Sequence, residues 1–157
     1  MRVFNNRSFD NNTPNFAPEG NIVGEVPSGT GLVIMANSNV EVFDNSFSNN
    51  STIHIAVVSG DLESGDENYY PHPKSIQIHN NSYSNVGYSP DVDRGDLSKL
   101  LVEIAEGEMP DVIWDGVLPL SQAILGQPQD EKLILKENES IKFCLLYTSD
   151  AADDRMR

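Results

Sequence analysis

Chemistry-bearing side chains concentrate in two acidic stretches of this chain and in one aromatic stretch. Residues 59–74, SGDLESGDENYYPHPK, carry Asp61, Glu63 and Asp66, then Tyr69, Tyr70, His72 and Lys74; a second run carries Asp91, Asp93, Arg94 and Asp96. Clustered carboxylate oxygens are the ligands Ca2+ accepts, so both acidic sets are candidate calcium ligands. Neither has the spacing of an EF-hand loop, and Asp91, Asp93 and Gly95 echo only its start. An amphipathic aromatic covers the apolar face of a sugar while its polar tip bonds a hydroxyl. Tyr69, Tyr70, His72 and Trp114 are therefore candidate glycan contacts, with packing inside the fold as the favoured role of Trp114. Arg94, Lys74 and His72 are the candidate catalytic groups, as basic side chains in or beside these clusters. No nucleophile, base and orienting group assemble into a set, and no glycine loop is built to cradle phosphate.

The elements that must position these residues announce themselves by repetition. VFDNSFSNN at residues 42–50 returns as IHNNSYSNV at 78–86 and, more loosely, as VFNNRSFDNN at 3–12. Alternating apolar residues running into an Asn pair and then one aromatic is the pattern of a parallel β-helix, in which like residues stack on like. The expected fold is all-β: a right-handed parallel β-helix, or solenoid, with long loop insertions and one short surface helix. Asn45 and Asn81 are expected at equivalent turns, in the left-handed backbone conformation that Asn tolerates, with their amides bonded from coil to coil as a ladder. His54, between Ile53 and Ile55, is expected to face outward, and His79 takes the repeat position of Phe43.

Spacing places the insertions. Ile53 lies 21 residues after Leu32, one plain coil, whereas Ile78 lies 36 after Val42, so residues 59–74 form an extra loop. Residues 13–31 insert likewise. The acidic loops and YYPHP are expected to line one flank of the stack. Farther on, Leu97, Leu100, Leu101 and Ile104 have helical spacing between a capping Asp96 and Gly107. Residues 109–116 and 132–137 read as strands, and 120–125 as a helical turn stopped by Gly126.

These repeats, with the segments NFAPEGNIV, GTGLVIMANSNVEVFDNSFSNN, YYPHPKSIQIHNNSYSN and MPDVIWDG, resemble bacterial parallel β-helix domain proteins of the pectin-lyase-like superfold over residues 3–143. That superfold houses polysaccharide lyases, hydrolases, alginate epimerases and non-catalytic surface proteins. The resemblance implies an exported protein, periplasmic, secreted or at the cell surface, with polysaccharide as the ligand class. It implies a non-catalytic module, or alternatively a fragment of a polysaccharide lyase or uronan epimerase. The epimerases' Asp-Pro-His-Asp motif has only Tyr70-Pro71-His72-Pro73 as its nearest string, without either carboxylate.

Residues 144–153, CLLYTSDAAD, resemble the translation of a transposase mosaic-end sequencing adapter. The expected organisation is thus one domain over residues 1–143, a piece of a longer protein, and an adapter-derived tail over 144–157 that packs little against it. The tail holds the single cysteine, so the body cannot form an internal disulfide. The net charge of −14 repels nucleic acid and anionic membrane, so neither is an expected partner. No apolar run is long enough to span a bilayer.

Overall fold

The computed structural model describes residues 1–18, 21–93, 101 and 108–146. Within them, eleven strands fall into three parallel sheets that the chain visits in rotation, except that β10 of the first sheet leads to β11 of the third with no strand in the second. β1 (Arg2–Phe4), β4 (Ser38–Phe43), β7 (Lys74–His79) and β10 (Leu133–Lys136) form the first, in that order. β2 (Arg7–Phe9), β5 (Ser46–Ser48) and β8 (Ser82–Ser84) form the second. β3 (Thr30–Met35), β6 (Ile53–Val58), β9 (Val112–Trp114) and β11 (Phe143–Leu145) form the third.

The repeats set the register. Val3 pairs with Val42 and Val42 with Ile78, while Phe47 pairs with Ser8 on one side and Tyr83 on the other. The first copy reads as loose because its aromatic is out of phase: Ser8 takes the inward position and Phe9 is left exposed. Leu32 pairs with Ile55, not Ile53, which meets Thr30. The step is therefore 23 residues rather than 21, and Ile53 lies in the outer apolar layer while Ile55 and Val57 face the enclosed core.

Val40, Val42, Phe47, Ile55, Val57, Ile76 and Ile78 fill the space enclosed by the three sheets. A second apolar layer covers the outer side of the third sheet, where Ile53, Ala56, Val58 and Ile113 meet Leu101 and Met109. Every residue of β6 is buried as a result. Leu101 is the one described residue of the expected surface helix, whose remainder lies outside the described residues. A short α-helix does form at Leu120–Leu125 and ends at Gly126, whose φ of 88° is costly for residues with a Cβ.

The sharp corners are left-handed, one residue earlier than expected. Asn5, Asp44 and Asn80 have φ of 53° to 55° at one corner, and Asp10, Asn49 and Asn85 repeat this at the next. Asn45 and Asn81 are not among the left-handed residues. Turning at the preceding residue aims their side chains inward, where they bond the neighbouring coils.

The insertions leave from two different corners, so they do not share a flank. Residues 59–73 link the third sheet to the first, as do 115–132; residues 10–29 and 85–111 link the second to the third. At the far end, β11 runs through the boundary expected at Phe143. Cys144 pairs with Ile113 and Leu145 with Trp114, and Cys144 and Leu146 pack on the second apolar layer. The expectation of a tail that packs little thus fails at residues 144–146, because the chain there continues the third sheet; residues 147–157 lie outside the described residues.

Candidate functional site

Asn45 and Asn81 are joined directly. Asn45 Nδ2 donates to Asn81 Oδ1 at 2.9 Å, and Asn6 Nδ2 donates to Asn45 Oδ1 at 3.0 Å. Backbone N–H groups run the same way, from Asn6 N to Asn45 Oδ1 and from Asn45 N to Asn81 Oδ1. Since a backbone N–H can only donate, the direction of the ladder is fixed. Asn81 Nδ2 passes it to Glu137 Oε1 at 2.7 Å, and Tyr83 Oη also donates there. Glu137 therefore ends the ladder, and burial with this bond pushes the Tyr83 phenol well above its ordinary pKa. These side chains also bond carbonyls near the strand ends, of Val3, Phe43, Val42 and His79, which occupies them in structure.

The YYPHP corner is partly spent on itself. Tyr70 is exposed, but Lys74 Nζ sits 4.6 Å from its ring centre and His72 meets it edge-on. Lys74 bonds Glu131 at 3.0 Å, which raises the lysine pKa and holds the Glu131 carboxyl below its usual value. His72 Nδ1 lies 3.1 Å from the Val117 carbonyl. Tyr69 closes over the chain, where a Cβ on Gly60 would collide with its hydroxyl. Trp114 points into the enclosed core and is half-buried there.

The carboxylates of the first loop fold its own backbone. Asp61 accepts from Glu63 N, and Asp66 accepts from Asn68 N, as local turns. Among the described residues no three His, Cys, Asp or Glu side chains group as a metal site would need. Arg94 and Asp96 lie outside the described residues.

The opposite corner holds a polar groove of about 530 Å³ between the two insertions that meet there. Tyr88 forms one wall, half exposed. Its hydroxyl accepts from Asn12 Nδ2 at 2.8 Å and donates to the Asn49 carbonyl at 3.1 Å, so the ring is a fixed platform. Asn12 is itself held by the Asn49 carbonyl and the Ser51 N–H. Asp91, Asp93, Ser28 and Ser51 also line the groove. Asp91 accepts from Ser28 N at 2.9 Å and from Asp93 N at 3.2 Å, tying the two insertions together. A rigid aromatic beside carboxylates and hydroxyls is the equipment for gripping a sugar. Asp91 and Asp93 were legible as candidates; Tyr88 was not, although a tyrosine inside the Gly, Ser and Pro run VGYSPD, outside the apolar alternation, is a signal of a surface aromatic.

His54 does not face outward. It is fully buried beside Phe47 and Tyr83, with Nδ1 2.9 Å from Asn50 Nδ2. Strand alternation fails because Gly31 lies over this point: a Cβ there would come within 2.6 Å of the His54 carbonyl and 2.8 Å of Asn50 Nδ2. With no side chain in the way, the corner turns tightly and His54 and Ile55 both point inward. Burial pushes the His54 pKa down, partly opposed by Asp111, whose Oδ1 is 4.0 Å from Nε2.

No protein-family model, no curated protein and no solved structure matches this chain.

Proposed function

We propose that the chain is part of a right-handed parallel β-helix of the pectin-lyase-like type, acting as a non-catalytic, carbohydrate-binding module of an exported or cell-envelope protein. The rotation of strands through three parallel sheets supports that fold. The observation that carries the function is the fixed Tyr88 ring lining one groove with Asp91 and Asp93. Many polar side chains make structural bonds: Asn45 bonds Asn81, Lys74 bonds Glu131, Asp66 folds its own loop, and both Asp91 oxygens accept backbone N–H groups. A charge of −14 disfavours polyuronates unless a cation bridges them, so neutral glycans are the favoured class. No described helix is long and apolar enough to cross a membrane. Calorimetric titration of neutral glycans and of pectate, each with and without Ca2+, tests the reading. Heat from a neutral glycan irrespective of Ca2+ is expected, and its absence across the panel would remove the binding function.

A further inference from the structure

A second pair of stacked asparagines ties buried His54 to the wall of the Tyr88 groove. Asn50 is fully buried, and its Oδ1 accepts from Asn11 Nδ2 at 3.0 Å and from Asn11 N at 3.4 Å. The chain on either side of it holds the wall: the Asn49 carbonyl accepts from Asn12 Nδ2 and Tyr88 Oη, and Ser51 N donates to Asn12 Oδ1. Gly87 N donates to the carbonyl of Asn50 itself. With its oxygen turned to Asn11, Asn50 presents Nδ2 to His54 Nδ1 at 2.9 Å. An amide nitrogen only donates, so Nδ1 accepts and the neutral ring keeps its proton on Nε2. An imidazolium carries N–H on both nitrogens, and its Nδ1–H would meet the Asn50 donor head-on. Asn50 cannot turn over in response without losing both bonds from Asn11.

From this linkage we infer that His54 is a positioning residue for the Tyr88 groove, an acid-sensitive latch whose protonation frees Asn50 and Asn11 and loosens the wall that Asn12 and Tyr88 build. Its use in releasing a ligand rests on the reading of that groove as the glycan site. The charged surroundings of the ring are few among the described residues. Asp111 Oδ1 lies 4.0 Å from Nε2, and beside Asp111 Lys142 is paired with Glu108. Of the neighbouring strands, β3, β5 and β9 carry no charged side chain. β2 carries Arg7, whose guanidinium lies over the Phe9 ring, and β8 carries Tyr83, whose hydroxyl bonds Glu137. None of these gives Nδ1–H an acceptor. Burial holds the folded pKa of His54 below its ordinary value, outweighing Asp111 and the Ser84 carbonyl, which favour the proton. The latch is therefore closed at neutral pH and opens below about pH 6.5.

The test is hydrogen exchange of the full chain, corrected for the pH dependence of the chemical step, from about pH 7.5 down to the onset of global unfolding. Calorimetric titration of a neutral glycan accompanies it over the same range. Residues 10–18, 49–52 and 87–89 are expected to exchange at least about tenfold faster in acid while β7 stays protected. Glycan affinity is expected to fall at least about tenfold over the same interval. His54→Asn offers Asn50 an oxygen acceptor that does not titrate there, so both pH effects should vanish in that variant. Uniform loss of protection, or none in residues 10–18 before unfolding, would overturn the latch from the parent chain alone, whether or not the variant folds. Selective exchange with an affinity that ignores pH would overturn its role at the groove. Absence of glycan heat at every pH would remove the binding reading, and the exchange result would still decide the latch.

Discussion

At the scale of single residues, the chain uses polar chemistry mostly to hold coils together. Asn45 is 3% exposed and serves Asn6, Asn81 and the carbonyls of Val3 and Phe43 at once. Removing its amide leaves buried groups unpaired, so Asn45→Ala is expected to cost about 1–3 kcal/mol, measurable as a lowered denaturant midpoint at unchanged slope. His54 gives a pH signature. Its folded pKa lies below the unfolded value, so above about pH 6.5 both states are neutral and the residue adds no pH dependence. As pH falls through 6.5 toward the folded pKa, the unfolded chain takes the proton first and stability drops. His54→Leu should flatten the stability profile just below about pH 6.5; an unaltered slope there would show that another group is responsible.

Elements explain where reading the sequence succeeded and where it stopped. The strands around Val42 and Ile78 and the ladder at Asn45 and Asn81 were legible, because stacked positions repeat residue types in order. Glu137 was hidden: it ends the ladder with a different residue, 56 positions after Asn81, so no repeat marks it. His54 was misread because alternation assumes a regular pleat, and the close approach at Gly31 breaks it. Gly31→Ala would drive a Cβ into the His54 carbonyl, at an expected cost of about 1–3 kcal/mol, read as a fall in melting temperature. The pairing of β11 with β9 makes a further prediction. Truncation after Phe143 removes the partners of Ile113 and Trp114 and uncovers part of the second apolar layer, so melting should fall by a few degrees. Unchanged melting would mean that residues 144–146 contribute nothing to the sheet.

For the whole molecule, the order of sheets matters more than the order of residues. In the sequence YYPHP and the Asp91 stretch are neighbours, and a single flank was the simple expectation. Rotation through three sheets sends them to different corners, and it brings residues 10–29 against residues 85–93 instead. Tyr88 is held in place by that meeting, since Asn12, 76 positions away, bonds its hydroxyl. The proposed glycan contact is therefore Tyr88 and not Tyr70, whose ring already carries Lys74. The most direct measurement compares Tyr88→Ala and Tyr70→Ala by calorimetric titration with whichever neutral glycan binds the parent chain. Loss of a stacking platform is expected to weaken binding by about 1–3 kcal/mol in Tyr88→Ala, with Tyr70→Ala binding as the parent does. Full affinity in Tyr88→Ala, with binding lost in Tyr70→Ala, would contradict the account.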